Sequence, residues 1–247
     1  MTAREVEVDG DVVRRPRKPW TPTVHALLRH LHDAGLPVPE PLAVDEHHEF
    51  VRLVPGDGGD AAWPHQTTTA AVASAGALLR RVHDATRRWT PPAWAEWAVP
   101  AEGGSVVCHG DPQPRNTAWR DGRAVGLFDW DVARPAEPIS DVAYALEWFA
   151  PFDDDVQQLR QRGLGPEVDR RARIDAFLDG YRWDGPIEVV DAVLARQQRA
   201  IDEVVWLGRA GHEPQASWVA AGWPDRWSAK LLVTERLRAS AAGPSRR

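Results

Sequence analysis

The sequence predicts an α+β fold in which a small N-terminal part of strands and one helix precedes a larger, mostly helical part. Short alternating stretches and turn signals surround a single helical stripe in the first 54 residues. From residue 67 onward, apolar residues recur mainly at helical spacing. Within this second part, Asp121-Gly122 separates two apolar runs and predicts a β-hairpin. The 247 residues suit one large domain or two small lobes.

The N-terminal part is predicted to contain two strands around a turn, then a helix, then a second hairpin. The corresponding ranges are 4–8, 12–13, 21–35, 42–44 and 50–54. Thr21-Pro22 suits the start of the helix, because Thr can cap it and Pro is tolerated at the first helical position. We therefore predict a reduced N-terminal lobe over residues 1–54. The Gly-rich stretch that follows indicates a hinge and linker over residues 55–65.

The remaining chain is predicted to be a helical lobe over residues 66–240 with a frayed tail over residues 241–247. Apolar stripes indicate one helix from residue 67 and another from Ile139 to Phe149. Further helices are predicted at about 166–182, 187–209 and 224–239.

The most informative segment lies between the first two of these helices. The apolar run 106–108 predicts a short strand that delivers His109 and Asp111 to a loop, and the prolines at 112 and 114 stiffen that loop. Asn116 follows five positions after Asp111, which is the spacing of the catalytic loop of protein kinases. A carboxylate there can orient and deprotonate an attacking hydroxyl. The alternative is an ordinary loop with solvated polar residues.

The predicted hairpin brings a second carboxylate to this loop. Its returning strand ends at Asp129, so Asp129 and Asn116 lie near the two open ends of the same hairpin. Carboxylate and amide oxygens are the ligands that Mg²⁺ prefers, and phosphoryl transfer from a nucleotide requires that ion. The sequence therefore predicts a magnesium site formed by Asn116 and Asp129.

At these residues the chain resembles the aminoglycoside phosphotransferase and choline kinase family, the small-molecule relatives of protein kinases. The resemblance lies in His109-Gly110-Asp111, Asn116, Phe128-Asp129-Trp130 and the segment 138–145. It implies a protein-kinase-like fold, with Asp111 as the catalytic base and Asn116 and Asp129 as magnesium ligands. It also implies that His109 and Asp141 support the catalytic loop.

The N-terminal part departs from the pattern of this family. Kinases cover the phosphates with a Gly-rich loop and pair a strand Lys with a helix Glu. This chain has no Gly-rich phosphate loop, its two lysines lie outside the predicted strands, and the predicted helix contains no Glu. Arg14 or Arg15 is the nearest candidate for the phosphate-binding cation, since arginine can bind phosphate in bidentate fashion. The alternative is a pair of solvated residues on an edge strand.

Two further features bear on the acceptor. The acidic run Asp153, Asp154 and Asp155 could attract a cationic acceptor, or it could be a helix start that favours negative charge. Trp130 and Trp148 could line an acceptor pocket and hold a quaternary ammonium group.

Composition excludes several classes of function. The formal net charge of −6 disfavours a nucleic-acid surface, and no apolar run approaches the length of a membrane span. The single cysteine, Cys108, fits a reducing cytoplasm.

We therefore expect a cytoplasmic phosphotransferase that uses Mg²⁺ and ATP or GTP to phosphorylate a hydroxyl of a small molecule. An aminoglycoside or another cationic compound is the expected acceptor. The alternative is a nucleotide-binding pseudokinase that acts as a regulatory or interaction module, which the missing Gly-rich loop and Lys–Glu pair would favour.

Overall fold

The computed structural model describes residues 6–238, and it begins with a four-stranded antiparallel sheet. The strands are β1 (Glu7–Asp9), β2 (Val12–Pro16), β3 (Pro41–Val44) and β4 (His48–Arg52), in the order β1-β2-β4-β3. Helix α1 (Thr21–Asp33) connects β2 to β3 and buries its stripe of Val24, Leu27, Leu28 and Leu31. Because β2 and β4 are neighbours, paired residues such as Arg15 and Glu49 lie on the same face of the sheet.

The remainder combines helices with two short antiparallel strand pairs. A 3-10 helix (Gly59–Thr67) and α2 (Thr69–Thr86) come first, and β5 (Val106–Cys108) follows. A second 3-10 helix (Pro114–Asn116) leads into β6 (Thr117–Arg120), β7 (Arg123–Leu127) and β8 (Arg134–Ala136). The last helices are α3 (Pro138–Phe149), α4 (Val156–Gln161), α5 (Arg170–Tyr181), α6 (Val189–Arg209), α7 (Gln215–Ala220) and α8 (Trp223–Arg236).

One continuous hydrophobic cluster connects the N-terminal part to the helices. It joins Leu27 and Leu31 of α1 to Val82 of α2, and it continues to Leu146 of α3 and Phe177 of α5. The strand pairs β5–β8 and β6–β7 lie between these helices and carry the predicted catalytic segment. The site is therefore built on elements that a shared core holds in place.

The sequence predicts most of these elements but misses several short ones. The predicted hairpin at Asp121-Gly122 joins β6 to β7, and both turn residues have positive φ. Strand β8 is missed because it is three residues long and contains Pro135, which sheet patterns disfavour. Helices α4 and α7 have only six residues each. The helix predicted at about 224–239 begins at Trp223, directly after the left-handed Gly222, and ends at Arg236.

One expectation lies partly, and another wholly, outside the described residues. The predicted first strand includes residues 4 and 5, and the predicted tail covers 241–247. The division into lobes at residue 54 stays a prediction. Along the part of the chain from 6 to 238, none of the helices combines the length and apolar character that crossing a bilayer requires.

Candidate active site

The catalytic loop begins where β5 ends. Gly110 has a φ of +88°, and a Cβ atom there would lie 2.3 Å from the carbonyl oxygen of Val132. Only glycine fits this close approach in a left-handed conformation. The chain therefore turns sharply between His109 and Asp111, which directs Asp111 away from the core and into a cavity.

Asp141 fixes this turn from the first helical turn of α3. Its carboxylate accepts hydrogen bonds from the backbone N–H groups of His109 (2.7 Å) and Gly110 (2.8 Å). It also pairs with Nε2 of His83 at 3.0 Å. Burial opposes ionisation of Asp141, but the hydrogen bond and charge of His83, with His109 and Gly110, lower its pKa to about 2. These contacts support the expectation that Asp141 braces the loop, a role that stays a prediction.

His109 links the loop to the end of β7. Its Nε2 donates to the carbonyl oxygen of Phe128 at 2.9 Å, so its Nδ1 is the acceptor for the backbone N–H of Asp111 at 3.2 Å. Burial lowers the pKa of His109, which keeps the ring neutral and suits this pair of contacts. The ring packs against Trp130 at a centroid distance of 4.5 Å. His109 is therefore placed to hold the loop rather than to transfer protons.

Asp111 is surrounded by hydrogen-bond donors. The side-chain amide of Gln113 donates to both of its carboxylate oxygens (2.8 and 3.1 Å), and Nδ2 of Asn116 donates to Oδ2 at 2.9 Å. Burial raises the pKa of Asp111 to about 7, and the negative charge of Asp129 acts in the same direction. A carboxyl group with a pKa near neutrality is well suited to accept a proton.

The two predicted magnesium ligands lie at the open ends of the β6–β7 hairpin. The backbone N–H of Phe128 donates to the carbonyl oxygen of Asn116 at 2.9 Å, which joins the two ends. Because Nδ2 of Asn116 donates to Asp111, the amide oxygen is left as its acceptor atom. Asp129 follows directly in a left-handed conformation with a φ of +66°. Asp129 and Asp131 both line the cavity, so oxygen ligands of the kind that Mg²⁺ prefers are concentrated there.

The structure distinguishes the two candidate arginines. Arg14 points to the outer face of the sheet, where it contacts Glu7 at 2.6 Å and His48 at 2.8 Å. Arg15 points to the opposite face, as alternation along a strand requires, and it lines the cavity. Its guanidinium lies 3.3 Å from Asp129 and 3.0 Å from Asp131. Only Arg15 is therefore placed beside the predicted magnesium site.

The carboxylate partner of this arginine lies on a strand instead of a helix. Glu49 of β4 is the direct cross-strand neighbour of Arg15, and Nε of Arg15 lies 2.8 Å from Oε1 of Glu49. Helix α1 contributes His25, whose Nε2 donates to Oε2 of Glu49 at 2.6 Å. Although burial of Arg15 opposes its charge, Asp131, Glu49 and Asp129 together raise its pKa above the ordinary value. Arg15 therefore stays charged in a largely buried position.

The acidic run does not form a single wall. Asp153 lines the cavity, where it pairs with Arg162 at 3.2 Å. Asp154 pairs with Arg236 at the surface, and Asp155 caps the N-terminus of α4 by accepting from two backbone N–H groups. The alternative interpretation, a helix start, is the one that fits Asp155. Only Asp153 can face an acceptor in this arrangement.

The two tryptophans expected to form an acceptor pocket lie in different environments. Trp130 is buried to 1% exposure beneath His109 and does not line the cavity. Trp148 does line it, but the guanidinium carbon of Arg162 lies 5.0 Å from its ring centroid. That face of Trp148 already holds a cation. The expected aromatic cage for an ammonium group is therefore not assembled from these residues.

One cavity of about 800 Å³, a volume in the range of small-molecule sites, is lined by Arg15, Asp111, Gln113, Asp129, Asp131, Trp148 and Asp153, but not by Asn116. Sequence reasoning missed several residues around Asp111. Arg196 of α6 donates to the carbonyl oxygen of Gly110 at 2.8 Å and lies 4.7 Å from the ring of Tyr144. Gln113 could have been noticed between its two prolines, whereas Arg196 lies 85 positions beyond Asp111 and carries no motif.

Replacing Asp141 by Asn is expected to remove a pH-dependent part of the stability. The pKa of Asp141 falls from 3.8 to about 2 on folding, which corresponds to roughly 2 kcal/mol. Because the folded-state pKa is lowered, this contribution is present above pH 4 and is lost as pH falls towards 2. Urea unfolding between pH 7 and 2 should show the difference between wild type and Asp141→Asn shrinking with acid. Asp154→Asn is the surface control, and equal pH profiles for wild type and Asp141→Asn would contradict the expectation.

Comparison with known proteins gives a consistent result. The sequence matches the phosphotransferase enzyme family over residues 3–98 and 92–177. The trifolitoxin immunity protein of Rhizobium leguminosarum bv. trifolii is 35% identical over 182 residues, which cover 70% of this chain and 68% of the relative.

Two solved structures show the same fold at low identity. A spectinomycin phosphotransferase bound to ADP and spectinomycin superposes with a TM-score of 0.57 and 11% identity, covering 94% of this chain and 88% of the other. A choline/ethanolamine kinase family protein from Mesorhizobium loti superposes with a TM-score of 0.53 and 17% identity, covering 97% of this chain and 85% of the other. The protein-kinase-like fold expected from the sequence is therefore confirmed, as is the resemblance to aminoglycoside phosphotransferases and choline kinases. The chain belongs to the phosphotransferase enzyme family.

Proposed function

We propose that this protein transfers the γ-phosphoryl group of ATP to a hydroxyl group of a small-molecule acceptor in the presence of Mg²⁺. The observation that carries the proposal is that Asp111, Arg15 and Asp129 line one cavity. A proton acceptor, a phosphate-binding cation and a metal-binding carboxylate are the groups that phosphoryl transfer needs. Family membership supports the reaction class, and the geometry supports the assignment of residues.

The residues around Asp129 fit a magnesium ion. Asn116 and Asp129 would hold it through an amide oxygen and a carboxylate, which are hard oxygen ligands. When bound, the ion neutralises charge on the phosphates of the nucleotide. Asp111 accepts the proton of the acceptor hydroxyl as that oxygen attacks the γ-phosphorus, the bond from phosphorus to the β–γ bridging oxygen breaks, and ADP leaves. Arg15 binds phosphate oxygens by charge-assisted hydrogen bonds.

The nucleotide base has an apolar surface to contact next to these polar groups. Val8 and Val13 of the sheet and Phe128 line the cavity on the side of Arg15. ATP is the donor we propose, and GTP is the alternative. A purine ring would bury apolar surface against these side chains.

A cationic acceptor such as an aminoglycoside is the class that the sequence favours. Within the cavity, Asp153 is the member of the acidic run that could attract it. An acceptor with toxic activity would suit the name of the Rhizobium relative, which is an immunity protein.

A radiolabelled γ-phosphate transfer screen tests the proposal. Mg-ATP and Mg-GTP are each offered with aminoglycosides, choline-like amines, sugar alcohols and aryl alcohols, and a thermal-shift titration measures nucleotide binding in parallel. Magnesium-dependent transfer to any acceptor hydroxyl is the expected result. Tight nucleotide binding without transfer to acceptor or water would favour the pseudokinase alternative instead.

Replacing Arg15 by Ala is expected to raise KM for the nucleotide by about 10–100-fold. The reason is the loss of a charge-assisted phosphate contact, worth about 1.5–3 kcal/mol. Arg14→Ala is a matched control, since Arg14 lies on the neighbouring strand position but contacts Glu7 and His48. Arg15→Lys keeps the charge beside Glu49, Asp129 and Asp131 and should recover part of the effect. Steady-state kinetics at varied Mg-ATP measure this, and equal KM values for Arg15→Ala and Arg14→Ala would refute it.

A further inference from the structure

The cavity continues beyond Asp111 into a space formed by the last three helices. We call this space the acceptor end. Its apolar lining comes from Ile201, Val204 and Leu207 of α6, Trp218 of α7 and Trp227 of α8. A molecule whose hydroxyl lies at Asp111 would place the rest of its surface against these side chains. The chemistry of this lining therefore bears directly on which acceptor fits.

Two tryptophans give the acceptor end an aromatic surface. The rings of Trp218 and Trp227 are nearly perpendicular, at 84° and a centroid distance of 5.8 Å. Trp223 stacks on Trp227 at 5.9 Å from the outer side. These contacts set the orientation of the Trp227 ring. Aromatic rings fixed in this way suit an aromatic or other flat apolar group of a ligand.

Carboxylates of the acceptor end are already neutralised by neighbouring cations. Glu203 pairs with Arg134 at 2.5 Å and with Arg196 at 3.1 Å. Asp153 pairs with Arg162 at 3.2 Å, and Nζ of Lys230 lies 3.8 Å from the same carboxylate. A polycationic acceptor would have to compete with these internal cations. Such pairs therefore provide little net attraction for it.

The two other carboxylates of this lining are also poor partners for a cation. Glu147 accepts a hydrogen bond from Nε2 of Gln197 at 3.0 Å, and burial raises its pKa, which favours the neutral acid. Glu213 is exposed at the rim, where water weakens its attraction for a cation. The electrostatics of the acceptor end thus match an uncharged ligand better than a polycation.

We propose that the acceptor is an uncharged amphipathic molecule whose aromatic or similarly flat apolar group lies against Trp218 and Trp227 while its hydroxyl reaches Asp111. This inference rests on the proposed function and makes its acceptor specific. It replaces the polycationic acceptor expected from the sequence, because that expectation relied on an acidic run of which two members lie outside the cavity. Affinity comes from burial of apolar surface, with the hydroxyl supplying the orientation.

Binding measured without turnover tests the acceptor class independently of catalysis. Calorimetry is performed on the protein saturated with Mg²⁺ and a non-hydrolysable ATP analogue. The probes are tryptophol and N-acetyl-seryl-tryptophan amide as neutral aryl alcohols, sorbitol as a neutral sugar alcohol, and kanamycin as a polycation. We expect the aryl alcohols to bind tighter than sorbitol and kanamycin, with affinities that change little between 0.01 and 0.5 M salt. Tighter binding of kanamycin, or no binding of either aryl alcohol, would overturn the proposal.

Variants of the tryptophans locate the bound aryl group. Trp218→Ala with Trp227→Ala should weaken aryl-alcohol binding at least tenfold, because the apolar contact area is lost. Trp206→Ala is the matched control, since Trp206 lies on α6 but is 57% exposed and outside the cavity lining. Nucleotide affinity should stay unchanged in both, which also shows that the variants are folded. Equal aryl-alcohol affinity in the double variant and the control would contradict the proposal.

The proposed function fails in a different way. It would be rejected if no acceptor, charged or neutral, received the γ-phosphate although nucleotide and acceptor both bind. Transfer to kanamycin in preference to the aryl alcohols, with no effect of the double tryptophan variant, would reject only the acceptor class. The two results are distinguishable because one measures transfer and the other measures which compound occupies the acceptor end.

Discussion

Asp111→Asn is expected to lower the rate of phosphoryl transfer by ~10²–10⁴-fold while leaving nucleotide affinity nearly unchanged. The amide has the shape of the carboxylate but cannot accept a proton from the acceptor hydroxyl. Arg15 and Asp129 remain in place, so the groups proposed to bind nucleotide and metal are still present. Single-turnover transfer with saturating Mg-ATP measures the chemical step directly, and calorimetry measures nucleotide binding.

The variant also changes the hydrogen bonding of the loop, so a control for structure is needed. Gln113 and Asn116 both donate to the carboxylate of Asp111, and an amide can accept through one oxygen only. Asp121→Asn is a matched carboxylate-to-amide change at the exposed hairpin turn, where Asn tolerates the positive φ of 49°. Unfolding temperatures of both variants should be compared. More than half of the wild-type transfer rate in Asp111→Asn would exclude its role as the base.

The pH profile gives a second view of the same group. Burial raises the pKa of Asp111 to about 7, and the protonated acid cannot act as a base. For wild type, kcat/KM should therefore fall as pH drops below about 7. A bound divalent ion would offset the charge of Asp129 and move this limb to lower pH. An acid limb no higher than about pH 4, the ordinary pKa of an aspartate, would argue against a buried carboxylate as the proton acceptor.

Local signals predict the catalytic segment well because its function depends on residues close in sequence. The strand before His109, the Asp111–Asn116 spacing and the Asp121-Gly122 turn all lie within about 25 residues. The hairpin turn and the register of its two strands are enough to bring Asn116 and Asp129 together. The structure places Asp111, Asn116 and Asp129 beside one another as that reasoning expects, whereas their chemical roles stay predictions.

Partners that are distant in sequence escape such reasoning. Glu49 faces Arg15 only because β2 and β4 pair in one particular register, which no local pattern specifies. Arg196 reaches Gly110 because α6 packs against α3. The acidic run shows the converse, because residues adjacent in sequence need not share a site. Its three carboxylates lie in irregular chain and in three different surroundings.

Asp129→Asn should abolish the strengthening of nucleotide binding by magnesium. Without the metal, the carboxylate of Asp129 repels the phosphates of ATP, so its removal should leave binding equal or tighter. With the metal, the variant loses a ligand, and its ATP affinity should fall below that of wild type by roughly 10–100-fold or more. Replacing a residue that only contacts a metal ligand already costs about 10–100-fold in metal affinity. Calorimetry with ATP in EDTA and in excess Mg²⁺ measures the ATP affinity without and with the metal.

Asp131→Asn separates the metal contribution from the loss of a partner for Arg15. Both carboxylates lie near its guanidinium, at 3.3 Å for Asp129 and 3.0 Å for Asp131, so either change removes one anion from the same arginine. Asp129 directly follows the residue that pairs with Asn116 across the open end of the hairpin, and we therefore propose it as the ligand. Magnesium should still strengthen ATP binding in Asp131→Asn but not in Asp129→Asn. If both variants keep the wild-type magnesium requirement, Asp129 does not bind the metal, and Arg15 must supply most of the phosphate recognition.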